Sequence, residues 1–174
     1  MIDIVLLVDT DENLRRFWEL RLRALKDAPD AFGASYESES QKPMDELIAK
    51  QRGRMSDDNV VFVAMSDDEY VGMVGLRQEP AKKVRHKAMI WGMFVASEHR
   101  GKGIGYKLIK QAINHTEQFS GVEQVLLTVV SSNVGARNLY EAMGFEVWGT
   151  EKNALKVDGR YYDEDWMVLF LEGH

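Results

Sequence analysis

Cysteine is absent from the 174 residues. That excludes a disulfide framework, a thiolate metal site and a cysteine nucleophile. Histidine is scarce, and the four at positions 86, 99, 115 and 174 show no ligand spacing, so no metal is expected. Only three prolines occur, at 29, 43 and 80, and no low-complexity run or repeat divides the chain. A single domain over residues 1–174 is the expectation. No apolar stretch approaches the roughly 18 residues of a membrane span. The start, Met1-Ile2-Asp3-Ile4, has neither the basic region nor the apolar run of a signal peptide. These absences predict a cytoplasmic protein with no membrane partner. Positive charge is also in deficit, with 22 Lys and Arg against 28 Asp and Glu, a net −6. That argues against nucleic acid as a partner and suits a small or cationic one.

What is present fits a globular protein: 45% of residues are hydrophobic and 29% charged, on a chain long enough to bury a core. Residues 4–8 form a short apolar run suited to a first strand. Asp9, Thr10 and Asp11 offer capping oxygens before a helix. In it Leu14, Trp18, Leu22 and Leu25 recur at helical spacing, with Phe17 and Arg21 beside them, until Pro29 and Gly33 close it. Pro43 opens a second helix through Ile48. Strands at 60–65 and 70–77 flank the short polar link Ser66-Asp67-Asp68-Glu69, which predicts a hairpin. Segments 88–95 and 125–130 are apolar almost throughout, which predicts strands covered on both faces. Between them lies a helix over 103–119, with Leu108, Ile109, Ala112 and Ile113 on one face. A helix at 134–143 leads through Gly144 into a strand at 145–148, and Asp158-Gly159 turns into a last strand at 161–171. The order β-α-α-β-β-β-α-β-α-β-β mixes hairpin and crossover links. It predicts an α/β (α+β) fold, a mixed sheet with helices on its faces.

The most informative stretch is His99-Arg100-Gly101-Lys102-Gly103-Ile104-Gly105, which runs from an apolar strand into a helix start. Glycines let the backbone turn sharply and gather N–H groups around one oxygen. A helix start adds unpaired donors and a positive dipole end, and Arg100 and Lys102 add charge. A pyrophosphate suits such a turn. The P-loop pattern fails here, because no glycine precedes a Lys-Ser or Lys-Thr at the required step. The dinucleotide fingerprint fails too, since Tyr106 stands where a glycine is needed.

Placed after Met93-Phe94-Val95, this turn resembles the acetyl-coenzyme A (acetyl-CoA) signature of the GCN5-related N-acetyltransferases (GNAT). A second block, Asn133-Val134-Gly135-Ala136-Arg137-Asn138-Leu139-Tyr140-Glu141-Ala142-Met143-Gly144-Phe145, resembles that family's Asn-x-x-Ala and Tyr-Glu segment after the next strand. The element order agrees over essentially the whole chain. The resemblance implies a mostly antiparallel mixed sheet, with the strand before the glycine turn splayed from the strand at 125–130. It implies acetyl-CoA as cosubstrate, a small-molecule or peptide amine as acceptor, and often a homodimer.

The resemblance also assigns cofactor contacts. Met93, Phe94 and Val95 would pair with the pantetheine amides like an added strand. Arg100, Gly101, Lys102, Gly103, Ile104, Gly105 and Tyr106 would hold the pyrophosphate. Asn133, Ala136 and Tyr140 would contact the arm. An N–H near Val95 would polarise the thioester carbonyl, and Tyr140 would protonate the leaving sulfur. Asn133 equally suits a helix cap. Gly92 marks either a bulge or a close packing point. Arg137 could reach a coenzyme phosphate but is read first as a solvated helix-face residue, and Trp91 and Trp148 as core or cleft wall.

The strand at 88–95 carries no acid, whereas many members of that family place a glutamate there. Proton removal then falls to another side chain, to water or to solvent. Glu37, Glu39, Asp163 and Glu164 are the candidate carboxylates, with His86 and His99 read as surface histidines. The alternative is a non-catalytic acyl-CoA binding or sensing domain of the same fold.

Overall fold

The chain opens with β1 (Ile2–Leu6), an edge strand displaced two residues from the apolar run, in a computed structural model that describes residues 1–172. Thr10 accepts a hydrogen bond from the Asn13 N–H at 3.2 Å and so caps α1 (Asp11–Asp27). Leu14, Phe17, Trp18, Leu20, Ala24 and Leu25 form its buried stripe. Ser35 caps a short helix, α2 (Tyr36–Ser40), whose five residues are too few to show a period in sequence. Next comes α3 (Met44–Arg54), which runs past Ile48 because Gln51, on the same face as Leu47, is buried as well.

Strands β2 (Asn59–Ser66) and β3 (Glu69–Gln78) make the expected hairpin. The rest of the chain supplies β4 (Lys87–Val95), α4 (Ile104–His115), β5 (Gln124–Val130), α5 (Val134–Ala142), β6 (Glu146–Val157) and β7 (Arg160–Phe170). One sheet runs in the order β1-β2-β3-β4-β5-β7-β6. All its neighbours are antiparallel except β4 and β5.

Alternate residues of β2 divide between the two faces. Phe62 and Ala64 join Leu108, Ile109 and Ala112 of α4 in one core. Val61 and Val63 join the stripe of α1 and Leu47 and Ile48 of α3 in the other. Helices on both faces thus bury the centre of the sheet.

Three features position the site. First, β4 and β5 pair only from Lys87 to Met89 against Gln124 to Leu126, and beyond that β5 pairs with β7 alone. The two parallel strands therefore splay. Second, Trp91 faces Gly75 and Phe94 faces Met73, so Gly92 and Met93 together oppose the single Val74. This is a bulge, and Gly92 sits at its φ of +64°, where glycine carries no Cβ penalty. Third, Gly75 leaves room for an indole, because a Cβ there would fall 2.0 Å from Trp91 Cε2.

The expectation that β4 and β5 are covered on both faces holds only in part. In β4, Ala88, Ile90 and Phe94 are buried while Met89, Trp91, Met93 and Val95 are only half-buried, and β5 alternates in the same way. In β4 the run is divided between the faces, with Ala88 and Ile90 in one core and Phe94 in the other, while Met89, Trp91, Met93 and Val95 also border a cleft.

Candidate active site

The splay opens a cleft of about 880 Å³. Its walls are β4 from Met89 to Val95, Leu127 to Val130 of β5, the turn before α4, the inner face of α5 and the loop after α1. Gly101 and Gly103 both sit at φ +74°, a backbone that favours glycine. A Cβ at Gly101 or Gly103 would meet no atom within 4 Å, so the turn faces open space. Gly103 caps α4 without a side chain, and the first helical bond runs from the Lys107 N–H to the Gly103 carbonyl at 3.1 Å. The N–H groups of Ile104, Gly105 and Tyr106 precede that bond and lack helical partners. Gly105 is tight instead: its Cβ would stand 3.2 Å from Leu139 Cδ2 and 3.3 Å from Met93 Cε, where α4 meets α5 and β4.

Of the two cations in the turn, Arg100 lines the cleft and Lys102 lies outside its lining. Arg100 Nε donates to the Val95 carbonyl at 2.9 Å, which ties the turn to the end of β4. Met93, Phe94 and Val95 line the cleft, although the Phe94 side chain is buried in the core. Asn133 Oδ1 accepts from the Ala136 N–H at 3.2 Å, so Asn133 does cap α5 while both residues line the cleft.

Tyr140 also lines the cleft and is only 6% exposed, its ring 6.0 Å from that of Phe145 in an edge contact. Burial pushes its phenol up to about 12, so it is protonated at neutral pH. The helix that carries it is anchored from behind. Arg137 is paired with Asp165 at 3.1 Å and with Glu141 at 3.3 Å, and Ser131 and Thr150 hydroxyls each donate to Asp165 at 2.8 Å. Arg137 is thus an anchor rather than a solvated residue. Trp148 is likewise neither core nor wall, being 60% exposed on β6, whereas Trp91 lines the cleft and donates to Asn59 at 3.2 Å.

The candidate bases separate clearly. Glu37 is exposed on α2 and absent from the cleft lining. Glu39 is buried, and burial alone would raise its pKa. The Lys50 and Lys42 ammonium groups, at 2.8 and 3.1 Å, outweigh that and hold it below the ordinary range. Asp163 is lowered by the Asn153 N–H and by Lys152, and lies outside the cleft lining. Only Glu164 of these four lines the cleft. Half-buried, it is raised first by burial and then by the nearby Glu151 charge, with the Thr128 hydroxyl pulling the other way. His86 is absent from the lining, but His99 belongs to it with Nδ1 enclosed and unpartnered, which corrects its reading as a surface residue. Arg21 and Phe32 also line the cleft, and the sequence reading does not name them as site residues. The signal was present in Arg21, which follows Leu14 by seven positions and Trp18 by three and so falls on the apolar stripe of α1.

Among the described residues no helix is long and apolar enough to cross a membrane, and no cluster of three or more metal-ligating side chains occurs. Two curated bacterial relatives share parts of the sequence. Spermidine N(1)-acetyltransferase of Vibrio cholerae is 27% identical over 64% of this chain. The L-amino acid N-acetyltransferase AaaT of Escherichia coli is 29% identical over 62% of it. Each match spans 65% of the relative's own length. The structure of yncA from Salmonella typhimurium, solved with its cofactor acetyl-CoA, superposes with a TM-score of 0.83. It is 20% identical and covers 99% of this chain and 95% of that one. The sequence model of the acetyltransferase (GNAT) family matches residues 17–145. A match over that share of the chain, joined to the splayed strands and the glycine turn, settles the assignment: the chain belongs to the GNAT acetyltransferase family.

Proposed function

We propose that this chain transfers the acetyl group of acetyl-CoA directly to an amine, an acyltransferase reaction in which no acyl-enzyme forms. The observation that carries this reading is the cleft itself. It joins an open glycine turn with unpartnered helix N–H groups at one end to a protonated, buried tyrosine beside the splayed strand edge. Coenzyme A fits these features by chemistry. Its pyrophosphate suits the turn of residues 100–105 and the positive end of α4. Its pantetheine amides suit the edge that β4 presents once β5 has diverged.

When bound, acetyl-CoA supplies an activated acetyl thioester, and the residues of the chain do the rest. An N–H at the end of β4 polarises the carbonyl. Glu164, the raised carboxylate in the cleft, takes the proton that the amine must lose as its nitrogen bonds to the acetyl carbon. Tyr140 gives its proton to sulfur as the carbon–sulfur bond breaks. One proton is taken and one delivered, so the step balances with neither metal nor enzyme nucleophile. The two named relatives act on a polyamine and on amino acids, so their names alone do not choose an acceptor.

The test is a panel of primary amines incubated with acetyl-CoA and read by mass, alongside the thermal shift caused by coenzyme A alone. A gain of one acetyl group on at least one amine, with stabilisation by coenzyme A, is expected. Stabilisation without any acetylated amine would identify a binding or sensing domain instead, and no stabilisation would remove coenzyme A altogether.

A further inference from the structure

The cleft also holds a cation, beside the bulge in β4, that the transfer chemistry does not use. Arg21 projects from the apolar stripe of α1, with its guanidinium carbon 5.6, 5.8 and 5.9 Å from the rings of Trp18, Phe32 and Trp91. Its Nη1 is shut off from solvent with no hydrogen-bond partner. Arg21 takes part in none of the ion pairs among the described residues. Burial, and then the Arg54 charge, pull its pKa down, with Glu39 opposing them. Glu39 is already committed to Lys42 and Lys50, so this corner holds more positive charge than it can satisfy, on a chain of net charge −6. A desolvated cation without a counter-ion is unfavourable. A guanidinium keeps its charge nonetheless, and with Nη1 enclosed the edge left to receive a carboxylate is Nε and Nη2, which make no hydrogen bond among the described residues.

Position gives the cation its role. A Cβ at Gly92 would stand 3.4 Å from Arg21 Nη1, so the guanidinium lies over the bulge in β4. Gly92 precedes Val95 by three residues, about 10 Å along a strand, and the turn lies beyond Val95. An arm anchored at the turn and running back along β4 reaches the bulge with its acetyl end. With coenzyme A so placed, Arg21 would face the acceptor. Asp30 and Glu164 line the same cleft, while Asp27, the other carboxylate there, is engaged by Arg23 at 3.3 Å.

We propose that Arg21 is the carboxylate receptor of the acceptor subsite, so that the acceptor carries a free carboxylate beside its amine, as an amino acid does. This rests on the acetyl-transfer reading. It requires a zwitterionic acceptor, with the carboxylate on Arg21 and the amine toward Glu164 and the thioester. A polyamine would place a cation where the cleft already holds one.

The experiment compares L-amino acids, the corresponding L-amino acid amides and spermidine as acceptors for the wild type, Arg21→Met and Arg21→Lys. The wild type should favour an acid over its amide by roughly 10- to 100-fold in kcat/KM, as a charge-assisted hydrogen bond provides. In Arg21→Met that preference should collapse, mainly through KM for the acid, and Arg21→Lys should restore part of it. Coenzyme A affinity should not move, which also shows that the variants are folded. Thermal shift in the presence of coenzyme A gives a readout independent of turnover: acids should stabilise the wild type, amides should not, and Arg21→Met should respond to neither. Preference for amides or spermidine would overturn the proposal, as would an acid preference that survives Arg21→Met. If no amine is acetylated, the transfer reading fails on its own. The thermal shift then still decides whether Arg21 holds carboxylates, and an absent shift overturns that too.

Discussion

Tyr140 and Glu164 are moved in the same direction by their surroundings, which keeps the phenol protonated, though a weaker acid, and makes the carboxylate a stronger base. Burial raises the phenol to about 12 and keeps it an acid. Burial and the Glu151 charge raise the carboxyl above its ordinary range, which makes it a stronger base once ionised. A base must be deprotonated, so kcat/KM should fall as pH drops through a value above the usual carboxylate pKa of about 4.3. Glu164→Gln should lose roughly 100- to 10,000-fold in kcat and abolish that acid limb. The remaining rise with pH should then follow the pKa of the acceptor amine. A Gln variant with wild-type rate and pH profile would remove Glu164 from the reaction. Residue type and motif position pointed to Tyr140 and Asn133, and the structure puts both in the cleft wall. They could not rank the carboxylates, because Glu39 and Glu164 differ only in what folds against them. Glu39 meets two lysines, and Glu164 meets a cleft.

The turn before α4 is the element on which the proposed coenzyme A binding rests. Gly101 and Gly103 hold φ +74° with open space beside them, so a side chain there costs backbone strain and intrudes where a phosphate must approach. Gly103→Val should weaken coenzyme A binding at least tenfold, about 1.4 kcal/mol or more. Titration calorimetry on the folded variant checks it, and an unchanged Kd would count against the site. Elements with strong periods or sharp turn signals were legible in sequence: the stripe of α1, the hairpin of β2 and β3, the Asn133 start of α5. What escaped were elements without an apolar signature. Strand β6 runs to Val157 rather than stopping at Trp148, yet most of its residues are exposed and Asn153 interrupts it at φ +53°. Its pairing with β7, not its composition, makes it a strand. Arg137 looked solvated because its partner, Asp165, lies 28 positions away on β7.

For the molecule as a whole, two cores on opposite faces fix the sheet, and the divergence of β4 from β5 leaves an opening between those two strands. We propose that this opening carries out acetyl transfer with Tyr140 as the acid. The most direct test measures kcat and coenzyme A affinity side by side for the wild type and Tyr140→Phe. Phenylalanine keeps the ring against Phe145, so the account predicts unchanged coenzyme A binding and a kcat lower by roughly 10- to 1000-fold. A folded Phe variant that turns over at the wild-type rate would contradict it.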